Sequence, residues 1–117
     1  MGHDVTWHAN GEVSMTIGGE KIVLRRPTIG ELEQLGDDWW RRWETISGKS
    51  EKEKRDRHGL DVLTACAEWL LVVVATLAGK DGLTVTDLPA WAGNPQLRAD
   101  LERFWLRVPM SPFPGDD

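Results

Sequence analysis

The chain has 117 residues, 40% of them hydrophobic, which suits one domain with a core and hardly two. A formal net charge of −5 without a basic block argues against nucleic-acid binding, because phosphate neutralisation supplies most of that affinity. The single cysteine, Cys66, cannot form an internal disulfide, and the opening MGHDVTWHANGE lacks the basic and apolar regions of a signal peptide.

Residues 5–8, VTWH, read as a short strand, and Asn10-Gly11 as a two-residue hairpin turn. Residues 12–17 alternate, with Val13, Met15 and Ile17 on one side and Ser14 and Thr16 on the other. Gly18-Gly19 marks a second turn, and residues 20–25 form a third strand with Ile22 and Leu24 on one face. The expected unit, about 5–25, is an antiparallel meander of two or three strands. Its apolar face needs a cover.

Pro27 keeps Arg26 out of the helical region and so separates strand from helix. Thr28 and Glu31 then form a T-x-x-E capping box. The first helix is expected over about 29–46, its stripe being Leu32, Leu35, Trp39, Trp43 and Ile46, with Trp40 beside it. Residues 48–59, GKSEKEKRDRHG, hold no aliphatic or aromatic side chain. They read as a solvated loop, with a helical extension through Glu51–Arg55 and Lys52–Asp56 as the alternative.

The second helix is expected over about 60–78. Its run Trp69–Ala75 is apolar on every side and predicts burial all round or against a partner. A membrane span competes, but Glu68 near a bilayer centre would cost about 2.5–3.5 kcal/mol. Glu68 itself reads as pointing to solvent beside Asp61 and Thr64. Asp87 is expected to cap a single turn anchored by Trp91. Asn94-Pro95 opens a third helix, over about 95–107, whose apolar face carries Leu97, Leu101, Phe104, Trp105 and Val108. The whole predicts a mostly helical α+β domain over 1–108, with the small N-terminal meander packed on about three helices. Residues 109–117 read as an extended or mobile tail.

Residue types that carry chemistry do not converge. His3, His8 and His58 lack ligand spacing, so no metal site is expected, and Cys66 reads as a small core residue. The serines lack a nucleophile-elbow context. Asp37 and Asp38 point about 100° apart on a helix, unlike paired catalytic carboxylates. Arg25-Arg26 and Arg41-Arg42 are expected to pair with nearby acids or lie over indole rings. No catalytic residue and no cofactor site is predicted, and no nucleic-acid or membrane partner.

The tryptophan usage points elsewhere. Seven Trp stand beside two Phe and no Tyr, more indole than a small domain readily buries. Trp39, Trp40, Trp43, Trp69, Trp91 and Trp105 are the candidate partner-binding residues, since indoles are enriched among binding hot spots.

Two segments carry a family resemblance. IGGEKIVLRRPTIGELEQL at 17–35 resembles the opening of tail assembly chaperones from long-tailed phages of actinobacteria. LPAWAGNPQLRADLERFWLRVP at 88–109 resembles their closing pattern: Pro-x-Trp, an apolar helix with Trp, then a Val-Pro stop. The resemblance implies a non-enzymatic chaperone in the host cytoplasm, absent from the mature virion. Such a protein keeps the tape measure protein soluble and helps bring tail tube protein around it, and self-association stays open. It also implies that SPFPGDD closes the short form of a product usually extended by frameshifting. A head–tail connector or tail completion protein, and a regulatory or antitoxin-like binding module, remain alternatives.

Overall fold

The structure is a computed structural model that describes residues 5–108, with side chains at all of these except 53–58. The expected tail, residues 109–117, lies outside the described residues. The fold is α+β: a three-stranded antiparallel meander followed by three helices. Strands β1 (Val5–Trp7), β2 (Val13–Ile17) and β3 (Glu20–Leu24) pair in sequence order. Met15 faces Ile22 and Val13 faces Leu24 across β2 and β3. All four are buried with Ile17, as the period-two alternation predicts.

The first hairpin corrects one expectation. Its loop is not a two-residue Asn-Gly turn. The His8 N–H donates to the Glu12 carbonyl at 3.0 Å, and the Gly11 N–H to the His8 carbonyl at 3.0 Å. These bonds enclose three residues, Ala9, Asn10 and Gly11, and only Gly11 (φ 94°) is left-handed. Asn10 instead uses its side chain, accepting from the Glu12 N–H at 3.0 Å. A type I turn followed by one left-handed residue is the next commonest hairpin closure after the two-residue turns.

Helix α1 (Ile29–Ser47) begins at the capping box read from sequence. The Glu31 N–H donates to Thr28 Oγ1 at 3.1 Å, and the Thr28 N–H donates to Glu31 Oε1 at 3.0 Å. Glu31 also takes a two-pronged bond from Arg25, at 2.7 and 2.6 Å. The Arg25 Nη2 donates further to the Thr76 carbonyl, and its backbone N–H to the Leu77 carbonyl at 3.0 Å. One arginine therefore ties the end of β3 to the start of α1 and the last turn of the second helix.

That helix, α2 (Glu51–Ala78), is longer than expected. The charged stretch is no loop beyond residue 50. Glu, Lys and Arg are strong helix formers, and adding turns to a packed helix needs no new nucleation. The absence of an apolar stripe concealed this. Helix α2 is the hub: β3, α1, both short 3-10 turns and the last helix pack on it. Its segment Gly59–Ala78 is long and apolar enough to cross a bilayer by length and composition. Here Trp69, Leu70, Val73, Val74 and Leu77 are buried in the common core. Burial is not all round, since Leu71, Val72 and Ala75 are only half-buried.

Two 3-10 turns follow, Val85–Asp87 and Ala90–Gly93. Asp87 does not start the first turn; it ends it and reaches back, accepting from the Thr84 N–H at 2.7 Å. Helix α3 (Pro95–Arg107) starts as predicted, with the Asn94 side chain accepting from the Gln96 N–H at 2.8 Å.

The Arg25–Glu31 pair has a pH signature. The Arg25 guanidinium, helped by the Thr28 N–H, holds the Glu31 carboxyl down at about 2 against an ordinary 4.5. A depressed carboxyl stabilises the fold above its unfolded value and loses that contribution as pH falls from about 4.5 through 2. Arg25 is half exposed, so solvent screening limits the loss to about 1–2 kcal/mol. Urea midpoints at pH 6 and pH 3 should fall further for the native chain than for Glu31→Gln. Equal falls would remove Glu31 from the account.

Candidate interaction surface

The six candidate tryptophans separate into distinct environments. Trp69 and Trp105 are 1% and 0% exposed. Each indole N–H is satisfied inside the protein: Trp69 donates to the Leu35 carbonyl at 2.9 Å, Trp105 to the Gly11 carbonyl at 3.1 Å. Both are corrected from partner-binding to core. They cover the meander and join α1 and the first hairpin to the helices behind them. Trp91 is half-buried in the second 3-10 turn and packs against the same core.

Trp39 and Trp43, one helical turn apart on α1, stack at 6.3 Å between centroids with 27° between planes. Both are half-buried. The guanidinium of Arg98 on α3 lies 4.4 Å from the Trp39 ring centroid and 5.8 Å from that of Trp69. A cation held between two indoles gains from both ring quadrupoles. Arg98 also approaches Glu102 at 3.5 Å. This contact couples α3 to α1 and α2.

Trp40 is 60% exposed and points off the packed face of α1. It offers the largest accessible indole of the six. Leu60 and Leu63, a turn apart near the start of the apolar part of α2, are also exposed.

The charged residues of α1 and α2 form a cleft of about 240 Å³. Arg42 donates to Asp38 at 2.8 and 3.3 Å and to Glu68 at 3.1 Å, and Lys49 donates to Asp61 at 2.7 Å. Glu68 does sit with Asp61 and Thr64 on this rim, but Arg42 partners it rather than solvent alone. Asp38 is likewise bound rather than merely solvated. Of these pairs Arg42–Glu68 joins α1 to α2, and Lys49–Asp61 joins the connection after α1 to α2. Each is part-exposed and worth little individually.

Sequence reasoning missed a second cleft. Trp7 at the end of β1 meets Phe104 of α3 edge to face, 5.0 Å between centroids and 65° between planes. Asp100, Arg103 and Arg107 complete a hollow of about 290 Å³. The available signal was that Trp7 lies two residues from Val5, on the face of β1 that points toward α3. His8 Nε2 lies 2.8 Å from Ser14 Oγ, a contact also unforeseen. Ser14 is buried beneath it, and neither residue lines either cleft. Among the described residues, no three His, Cys, Asp or Glu side chains gather to hold a metal ion. Burial pushes the Cys66 thiol up.

The geometry is thus that of a small α+β protein with ion-paired and aromatic surface clefts. No protein-family model, curated protein or solved structure matches the chain.

Proposed function

We infer that this protein is a non-enzymatic phage tail assembly chaperone, which binds the tape measure protein in the host cytoplasm during assembly. The observation that carries the reading is the ordered pair of resembling segments at 17–35 and 88–109. Leu24, Leu35, Leu97, Leu101 and Trp105 from those segments share one core, so the resemblance covers residues that determine the fold. Trp40 supplies an indole that folding leaves uncovered. Several weak contacts along a long helical partner would add through avidity.

Co-expression with the tape measure protein of the same genome tests the reading. A soluble complex with many copies of this chain per partner is expected on size-exclusion chromatography. Trp40→Ala should change stability by less than about 0.5 kcal/mol, as an exposed substitution. It should weaken the complex about thirtyfold or more, the loss of at least about 2 kcal/mol expected for a hot-spot indole. An insoluble partner beside a well-folded free chain would instead favour a connector or a regulatory module.

A further inference from the structure

The hollow between β1 and α3 has an aromatic floor, Trp7 against Phe104, and a rim of two guanidiniums against one carboxylate. The carboxylate is already engaged: Asp100 accepts from Arg103 at 3.0 Å and from Gln96 at 2.7 Å. Arg107, in the last turn of α3, makes no ion pair among the described residues. One positive charge is left over there, on a chain of net charge −5. The Trp7 ring is 40% exposed, so the floor is accessible. About 290 Å³ lies at the lower edge of ligand-pocket sizes and has room for one aromatic side chain.

The backbone of β1 adds a second observation. This strand is an edge of the sheet. In an antiparallel ladder, alternate residues turn their N–H and C=O toward the partner strand. The His8 N–H donates to the Glu12 carbonyl, so His8 and Thr6 face β2, while Val5 and Trp7 turn their backbone groups off the sheet. The residue whose ring floors the hollow therefore also presents its N–H and C=O at the outer edge.

We propose that this hollow and edge bind an extended segment of a partner protein, in which an aromatic residue is followed two positions later by Asp or Glu. The segment adds to β1 as a further strand. Its aromatic ring lies on Trp7 and Phe104, and its carboxylate meets Arg107. Alternate residues of a strand share a face and stand about 7 Å apart. Phe104 and Arg107 are separated by about 4.5 Å along the axis of α3, a difference that an arginine side chain spans. In strand addition the main-chain bonds supply affinity and the pocketed side chains supply specificity. A small aromatic acid has the ring and the charge but no backbone to pair with Trp7. The proposal goes beyond the chaperone reading and does not depend on it.

The test titrates the full chain with the end-blocked peptide Thr-Val-Phe-Thr-Asp-Thr. It follows the indole N–H cross-peaks of the nitrogen-15 spectrum, with Trp7 assigned through Trp7→Phe. A saturable shift of the Trp7 peak is expected, with those of Trp69 and Trp105 in place. Replacing the peptide's Phe by Ala should weaken binding about tenfold or more, the loss for one buried aromatic ring. Replacing its Asp by Asn, or Arg107→Gln in the chain, should each weaken binding about threefold, and the two together no more than either alone. A Trp7 peak that does not move overturns the proposal. So do two threefold losses that multiply in the combination, because Arg107 would then not face the acid. Phenylacetate binding as tightly as the peptide also overturns it, since the occupant would be a small aromatic acid rather than a strand. No tape measure protein enters this titration, so its outcome is separate from that of the co-expression experiment.

Discussion

Replacing Trp105 by alanine should lower the unfolding free energy by about 3–5 kcal/mol, the cost of deleting a fully buried large aromatic side chain. The ring is 0% exposed, and its N–H donates to the Gly11 carbonyl at 3.1 Å across 94 residues of sequence. Two effects add: a cavity opens under the meander, and the Gly11 carbonyl loses its donor. Trp105→Phe separates them. It keeps most of the volume but strands the carbonyl, so a loss of about 1–3 kcal/mol is expected. Native proteins hold about 5–15 kcal/mol in total, so the alanine variant should lose a large fraction of its stability. Urea denaturation monitored by far-ultraviolet circular dichroism reads both. A loss below about 1 kcal/mol in Trp105→Ala would show that the helices hold together without the indole, contrary to the packing described.

A second substitution should be costly for a different reason. A Cβ at Gly93 would stand 2.8 Å from the Leu63 carbonyl oxygen and 3.4 Å from its carbon. Both are backbone atoms in α2 and cannot rotate aside. Gly93→Ala must push the second 3-10 turn off the helix, at about 1–3 kcal/mol, the range for overpacking a closed contact. Gly59→Ala provides the opposite sign. It lies within α2 with nothing inside 4 Å of its would-be Cβ. Alanine there should stabilise by about 0.5–1 kcal/mol through helix propensity. Should both glycines respond alike, the close approach of the turn to α2 is not what requires glycine at position 93.

The contrast between these glycines shows what sequence can carry. The helix starts at Thr28 and Asn94 and the alternation in β2 are local, decided by side chains within four residues of one another. They read correctly. Gly93 contacts a carbonyl 30 positions away, and no local pattern records that. The N-terminal turns of α2, where a loop ranks ahead of the helical extension in the sequence reading, were misjudged for a related reason. Their helicity follows from propensity and from continuation of a packed helix, whereas the sequence reading relied on an apolar stripe. Among the candidate tryptophans, helical spacing placed Trp39 and Trp43 together on one stripe. It could not tell Trp40 from Trp69, because exposure is set by which neighbours arrive. The Trp7–Phe104 pair, 97 positions apart, was beyond pattern reading for the same reason.

The Gly11–Trp105 bond also bears on how the protein comes to be folded. Synthesis proceeds from the N-terminus at about 5–20 residues per second, so the carbonyl waits about 5–20 s for its donor. Until residue 78 is made Val13, Met15 and Leu24 lack a complete α2 to lie under, and until residue 107 they lack a complete α3. The meander is the first part of the molecule to be made and among the last to be finished. A newly made chain therefore carries an incompletely covered apolar sheet until its C-terminal helix emerges. Premature termination before residue 105 should leave a sticky fragment rather than a smaller working protein.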